Sequence, residues 1–466
     1  MVRRIGKKNI VLVIIFAIQI LMFCCYLYGD MLITTTHGMA FWDSLFSSDG
    51  IRQFYQMNID HPLVAKVYSG NYSAMYDFLI YIIFGIWDFP LWVSQKFFGV
   101  QNPLNYLLGN LWAKSIVLFF YVLTLIVIRK ILGKIGLCKS KKIIILMSTS
   151  IIVSANLIIL GQYDIITVFF MILGLYFLLD GKVCFFVMAF SIAIPIKVLA
   201  LLAFVPMICL VEKRILKLLI YFAASVVPMM LFRIVIPMAQ GQSNVTSFFG
   251  FLFLDTIPMG SHKISLFLVA YVVLLLFCYL KKPEEDIVQY TKELVYVALC
   301  AYAVFYLCTF ALPYWVVYLI PFLYLLIVLN EQNYYINILL EIFMSFFIVL
   351  GQSIYFYWVY STTILINGIF GSIVEKSNHM GGSIVDALQN FIGTDNWATV
   401  QDYILQVCWS VVFVMLVVFL IINCPWCKRK KWAKEADCKS NRIVIYVVRT
   451  IFLAIVYFIP FMGLMA

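Results

Sequence analysis

The chain has 466 residues, of which 64% are hydrophobic and only 12% charged, with a mean hydropathy of +1.01. A soluble globular domain is nearer half apolar and a quarter charged, so this composition excludes a water-soluble fold and makes the bilayer the solvent for most of the chain. The net charge of +11 does not point to nucleic acid. The basic residues gather in short segments between apolar runs, which is the positive-inside pattern of a protein among membrane lipids.

In chain order, Arg3, Arg4, Lys7 and Lys8 precede an apolar stretch at about 10–28. It is too long for a signal-peptide core and lacks a small-x-small cleavage site, so a retained first helix with a cytoplasmic N-terminus is expected. The segment 29–105 is mixed and polar, with an apolar patch at about 76–98 expected to lie in the membrane interface. A helix at about 107–128 must end inside, because Arg129, Lys130, Lys134, Lys139, Lys141 and Lys142 follow it. Helices at about 143–160 and 165–179 flank the short turn Gly161-Gln162-Tyr163-Asp164. The block at about 183–210 contains Pro195, Lys197 and Pro206, and lies between basic residues that both belong inside. It reads as two half-spans meeting near Lys197, an arrangement tolerated where backbone lines a polar cavity.

Helices at about 218–236, 263–280, 294–311, 316–329, 336–358, 403–422 and 443–462 follow, with a late outside loop at about 359–402. The expected fold is therefore an all-α polytopic membrane protein, a single membrane domain over 1–466 with about 13 transmembrane helices. Interfacial helices are expected in the first outside loop, 29–105. Cysteines lie mostly inside apolar runs, and the lone Cys424–Cys427 C-x-x-C is a weak metal signal without a second pair.

The polar residues that could carry chemistry fall on the outward side. The first loop holds Asp30, His37, Asp43, Asp49, Asp60, His61 and Asp77, and a carboxylate there can take a proton from an acceptor hydroxyl. The Gln162-Tyr163-Asp164 turn is more polar than a turn requires, although Asp164 can also serve as N-cap of the next helix. Lys197 is costly in an apolar run unless it snorkels or faces a polar cavity, where it could hold a phosphate as a point charge. Arg233, His262 and Lys263 could serve likewise, and His379 is a fainter candidate. Asn244-Val245-Thr246 matches a glycosylation sequon of the kind common by chance.

These features in this order resemble the GT-C superfamily of integral-membrane glycosyltransferases. The resemblance is carried by acids after the first helix, the Gly161-Gln162-Tyr163-Asp164 turn, Ile194-Pro195-Ile196-Lys197 followed by Pro206, and the Pro313-Tyr314-Trp315 turn. It covers roughly 1–330 as scattered short motifs. It implies a GT-C-like bundle, a polyprenyl-phosphate-linked sugar donor, a glycan, lipid or protein acceptor, and inverting displacement at the non-cytoplasmic face of the cell membrane. A first-loop acid would act as base: by position Asp43 first, then Asp49, with Asp30 third. Gln162, Tyr163, Asp164, Lys197, His262, Lys263, Tyr314 and Trp315 would line the substrate site. No nucleotide-binding domain is needed, in keeping with the absence of any P-loop or Rossmann fingerprint. No two acids sit two apart in the first loop, which departs from the D-x-D form and leaves a divalent metal open. A transporter or flippase for a lipid-linked glycan, and a polymerase acting on the same carriers, are the competing classes.

Overall fold

The computed structural model describes residues 7–48, 50–58, 73–137, 140–238, 256–259, 262–309, 312–356, 359, 383–427 and 439–462. The described helices begin with α1 (Lys7–Cys25), α2 (Gly29–Leu45), α3 (Phe54–Met57), α4 (Phe78–Trp87), α5 (Phe89–Phe97) and α6 (Leu107–Lys134). Next come α7 (Ser140–Ser148), α8 (Ile151–Val153, continued by a π turn over Ser154–Ile159), α9 (Ile165–Leu179), α10 (Val183–Ile196), α11 (Leu201–Val211) and α12 (Ile215–Val235). After an antiparallel ribbon, β1 (Thr256–Met259) with β2 (His262–Ser265), the chain runs through α13 (Leu266–Leu280), α14 (Ile287–Cys308) and α15 (Ile320–Leu329). It closes with α16 (Tyr334–Tyr355), α17 (Ile384–Ile392), α18 (Thr394–Asn423) and α19 (Lys439–Met462).

The class is as the composition requires: an all-α, membrane-embedded protein whose sheet, among the described residues, is one small ribbon. Five described helices are long and apolar enough to cross a membrane, or seven if each of two bent pairs counts as one span. The figure of about thirteen crossings therefore stays an expectation. One bent pair is α4–α5, which turns by 65° at Asp88. The patch at 76–98 is thus helical and broken at Asp88. Local chemistry sets several boundaries. The Ser265 hydroxyl accepts from Leu268 N–H, so α13 starts after the ribbon and not at 263. Asp286 likewise accepts from Gln289 N–H at 2.8 Å and starts α14.

The block 183–210 breaks where its sequence indicated. Pro195 removes one helical amide, α10 ends at Ile196, and Lys197 is extended (φ −150°, ψ 120°) before the chain re-enters helix. The late helix α18 begins at Thr394, earlier than the 403 expected, because Trp397 and its neighbours already wind as helix ahead of the apolar run.

The chain divides into two compact units. One comprises Gly29–Leu137 and Tyr163–Phe322, the other Met1–Tyr28, Cys138–Gln162 and Leu323–Ala466. In the first, α9 packs on α10 where Gly174 lets the Phe190 ring approach; an added Cβ would meet that ring at 2.8 Å. Phe186 and Phe204 stack beside it at 5.3 Å. In the second unit, α16 packs on α18 and α19. The other bent pair, α7–α8 with its π turn, lies here and bends by 56°. Its break leaves main-chain carbonyls without helical partners, and buried donors satisfy them. Gln19 donates to Ser148 O, while Arg449 donates to Thr149 O at 2.9 Å and Leu146 O at 2.8 Å. Arg449 is 1% exposed and is neutralised by the fully buried Glu341, which also accepts from the Tyr324 hydroxyl.

Candidate active site

All the side chains that converge on Lys197 belong to the unit formed by Gly29–Leu137 and Tyr163–Phe322. Lys197 sits at the α10 break, where no helix wraps it, and its side chain is 14% exposed. Its ammonium lies 3.8 Å from Asp164 Oδ1 and 4.1 Å from the centre of the Tyr76 ring. It therefore faces a carboxylate and an aromatic face inside the unit. Snorkelling does not describe it.

Asp164 ends the turn that Gly161 opens with φ 66°, a left-handed conformation that glycine adopts at little cost. Its carboxylate was a candidate N-cap for α9, but it makes no capping hydrogen bond. It is 1% exposed instead, and neither carboxylate oxygen has a hydrogen-bond partner. The buried hydroxyls of Tyr163, Thr167 and Tyr318 are also without partners at hydrogen-bond distance. A buried polar group left unsatisfied costs about 1–3 kcal/mol, so these groups together make this a candidate place for a polar ligand or water. Tyr163 is held by edge contacts with the Tyr76 and Phe84 rings at 5.9 and 5.3 Å. Tyr318 stacks on Tyr302 at 5.5 Å, and the Tyr302 hydroxyl donates to Leu199 O at 3.0 Å, two residues beyond Lys197.

Asp30, in the first turn of α2, completes the cluster. Burial raises its pKa above the ordinary carboxylate value, while the Lys197 ammonium and the neighbouring Tyr163 and Tyr76 hydroxyls pull it back down. Burial also pushes Asp164 up to about 6; Lys197 opposes the rise and Asp30 adds to it. The tyrosine hydroxyls of Tyr163 and Tyr318 approach these carboxylates without meeting full hydrogen-bond geometry. Asp164 pairs with Lys197, and Asp30 lies within electrostatic reach of the same ammonium, an arrangement that suits one acid to accept a proton while the lysine holds an anion.

The other sequence candidates either have partners of their own or lie outside the described residues. Asp43 accepts from Trp92 Nε1 at 2.8 Å and pairs with Lys96 at 3.0 Å. Asp49, Asp60, His61 and His379 lie outside the described residues, as does the sequon at Asn244. Arg233 is committed to Asp77 through a two-pronged pair, Nη2 to Oδ2 at 2.8 Å. Gln162 is buried and belongs to the other unit, where its main-chain N–H donates to Asn156 O at 2.9 Å. His262 and Lys263 are on β2; the lysine is exposed, and the histidine side chain is outside the described set. Tyr314 and Trp315 pack edge to face at 6.3 Å, with Trp315 also against Phe305. His37 is buried with its ring edge on Tyr81.

Sequence reasoning missed Tyr76, Thr167 and Tyr318. Tyr76 precedes a named acid, Asp77, and Thr167 lies one turn into the helix that follows Asp164. Tyr318 ends the 3-10 turn whose first aromatic residues, Tyr314 and Trp315, were chosen in its place. Among the described residues no three His, Cys, Asp or Glu side chains converge as a metal site. The chain matches no protein-family model and no curated protein.

Proposed function

We propose that the chain is a membrane-embedded glycosyltransferase that moves a sugar from a polyprenyl-phosphate donor to a cell-envelope glycan, lipid or protein. The observation that supports this most is the orphaned carboxylate of Asp164 beside Lys197 and Asp30. In this reading Asp30 is the base. Its carboxylate removes the proton from an acceptor hydroxyl as the oxygen attacks the anomeric carbon and the bond from that carbon to the phosphate oxygen breaks. The lipid phosphate departs with the electron pair, its charge held by Lys197, and the tyrosine hydroxyls orient sugar oxygens. Asp43, the first choice by sequence position, is spoken for by Lys96 and Trp92 and takes a supporting place in this scheme. The pattern of basic anchors in the sequence supports a reaction on the non-cytoplasmic face.

The test is reconstitution of the full chain in liposomes containing a panel of polyprenyl-phosphate monosaccharides and envelope acceptors, with release of polyprenyl phosphate followed over time. Asp30→Asn and Lys197→Met should each lower turnover by about two orders of magnitude or more, whereas Asp43→Asn should retain most of it. Turnover lost in Asp43→Asn but kept in Asp30→Asn would return the base to Asp43. No release with any donor would sink the transferase reading.

A transporter for a lipid-linked glycan is the second reading, favoured by the ionisable pair Glu341–Arg449 buried inside helices of the other unit. Arg449, however, spends its donors on main-chain carbonyls and Tyr324, which suits a fixed clasp better than a moving charge. Movement of an intact lipid-linked glycan across the liposome, with no new covalent bond, would favour that class.

A further inference from the structure

A cavity of about 650 Å³ opens between the short helical segment at 51–57 and the end of α12, within the same unit as Lys197 but with none of the cluster's residues in its walls. Its two walls differ in chemistry. One carries Arg52, Gln53 and Gln56, all exposed. The other is apolar, with Ile234, Val235 and Met238. Arg52 makes no ion pair or hydrogen bond through its side chain among the described residues, in contrast to Arg233, the chain neighbour of Ile234, which Asp77 neutralises.

Ile234 and Val235 end a helix whose apolar surface the protein leaves largely uncovered, as suits a helix against lipid. Only 11% of the apolar window of α12 is buried within the protein, and Leu231, Ile234 and Val235 are among its exposed side chains. The cavity therefore stands where a bilayer-facing helix ends and a polar segment begins. A ligand that fills it must offer hydrocarbon to Ile234 and Val235, and an anion with several acceptor oxygens to one guanidinium and two side-chain amides. A carboxylate offers two acceptor oxygens in one plane, whereas the phosphate of a lipid monoester offers three in a tetrahedral array. A phosphate can accept from all three, and arginine binds it through two parallel N–H donors. The volume falls within the usual range of small-ligand sites, enough for a phosphate head and the first carbons of its chain.

We propose that this cavity seats the phosphate head of a membrane lipid, with Arg52 as its anchor and Gln53 and Gln56 as supporting donors. That this lipid carries the acceptor, while Lys197 holds the donor's phosphate, rests on the transferase reading above; the binding itself does not. The two places are linked along the chain: Ile234 follows Arg233, whose partner Asp77 follows Tyr76, the ring over Lys197.

The full chain in nanodiscs of zwitterionic lipid, titrated with hexadecyl phosphate, hexadecanol and inorganic phosphate, tests this. Hexadecyl phosphate should bind saturably in the Lys197→Met background, which lacks the cation of the polar cluster. Adding Arg52→Ala should weaken that binding by at least about tenfold, and Arg52→Lys by less, because a point charge replaces the fork. The same Arg52→Ala loss is expected in the otherwise wild-type chain, so the result does not depend on the stability of the lysine variant. Hexadecanol should bind far more weakly, and millimolar inorganic phosphate should not displace the lipid. Unchanged affinity in Arg52→Ala, equal affinity for hexadecanol, or displacement by inorganic phosphate would each overturn the proposal, the last by making a free phosphate the ligand. A chain that transfers no sugar but shows the Arg52-dependent binding would fail the transferase reading alone.

Discussion

Replacing Asp164 with asparagine should stabilise the protein at neutral pH while removing a charge from the candidate site. The side chain is 1% exposed, and burial pushes its pKa from the ordinary 3.8 to about 6, with the Lys197 attraction already included. For an acid with a raised native pKa, the folded state binds more protons than the unfolded chain between those two values. Stability from this group is thus fully present below 3.8 and is lost as pH rises through about 6. Each tenfold change in proton affinity is worth about 1.4 kcal/mol, so ionised Asp164 costs the native state about 3 kcal/mol at pH 7.5. Asparagine has the shape of the neutral acid and no charge to desolvate. Thermal unfolding of the wild type and Asp164→Asn, followed by tryptophan fluorescence in one detergent at pH 5 and 7.5, measures the difference. The variant should unfold a few degrees higher at pH 7.5, with the gap narrowing at pH 5. A variant less stable than the wild type at pH 7.5, or a gap that is the same at both pH values, would refute the reasoning. A stabilised but inactive variant is the pattern expected where a site holds strain for function.

Arg449→Met should destabilise its unit by about 3–5 kcal/mol, because Glu341 is left buried and unpaired and the carbonyls of Leu146 and Thr149 lose their donor. The double variant Arg449→Met with Glu341→Leu should recover part of that loss; thermal unfolding of the four proteins gives the coupling, and purely additive effects would show the pair to be incidental. Gly38→Ala should cost about 1–3 kcal/mol, since its Cβ would meet Phe84 Cβ at 2.7 Å where α2 crosses α4. Unfolding at the wild-type temperature would show that the two helices can separate freely. The carboxylate comparison of Asp30→Asn with Asp43→Asn in the transfer assay separates the base from its neighbour, as set out above.

Much of the architecture was legible because the bilayer imposes it. Apolar runs of span length must be helical, since only helices satisfy the backbone within lipid, and α9 matches its sequence range of 165–179. The break at Lys197 was readable as well, from a proline and a charge in one apolar block. The turn at Gly161 and the importance of Asp164 and Lys197 followed from polarity where none was needed. Helix starts such as Thr394 were less legible, because polar residues wind as helix beyond the apolar run.

The sequence by itself determined the solvent, the helical class and the suspicion attached to Asp164 and Lys197, because each is a matter of local composition against a hydrocarbon background. Only tertiary structure decided which polar residues meet. Asp30 and Asp43 lie on one helix, α2, and spacing along the chain cannot rank them. Packing brings Asp30 within electrostatic reach of Lys197 and gives Asp43 to Lys96 and Trp92. Tyr318 reaches Asp164 from a distant segment, and Arg233 finds Asp77 across 156 positions. Contacts of that range leave no periodicity or motif in a single chain, and so the membership of the site belongs to the fold.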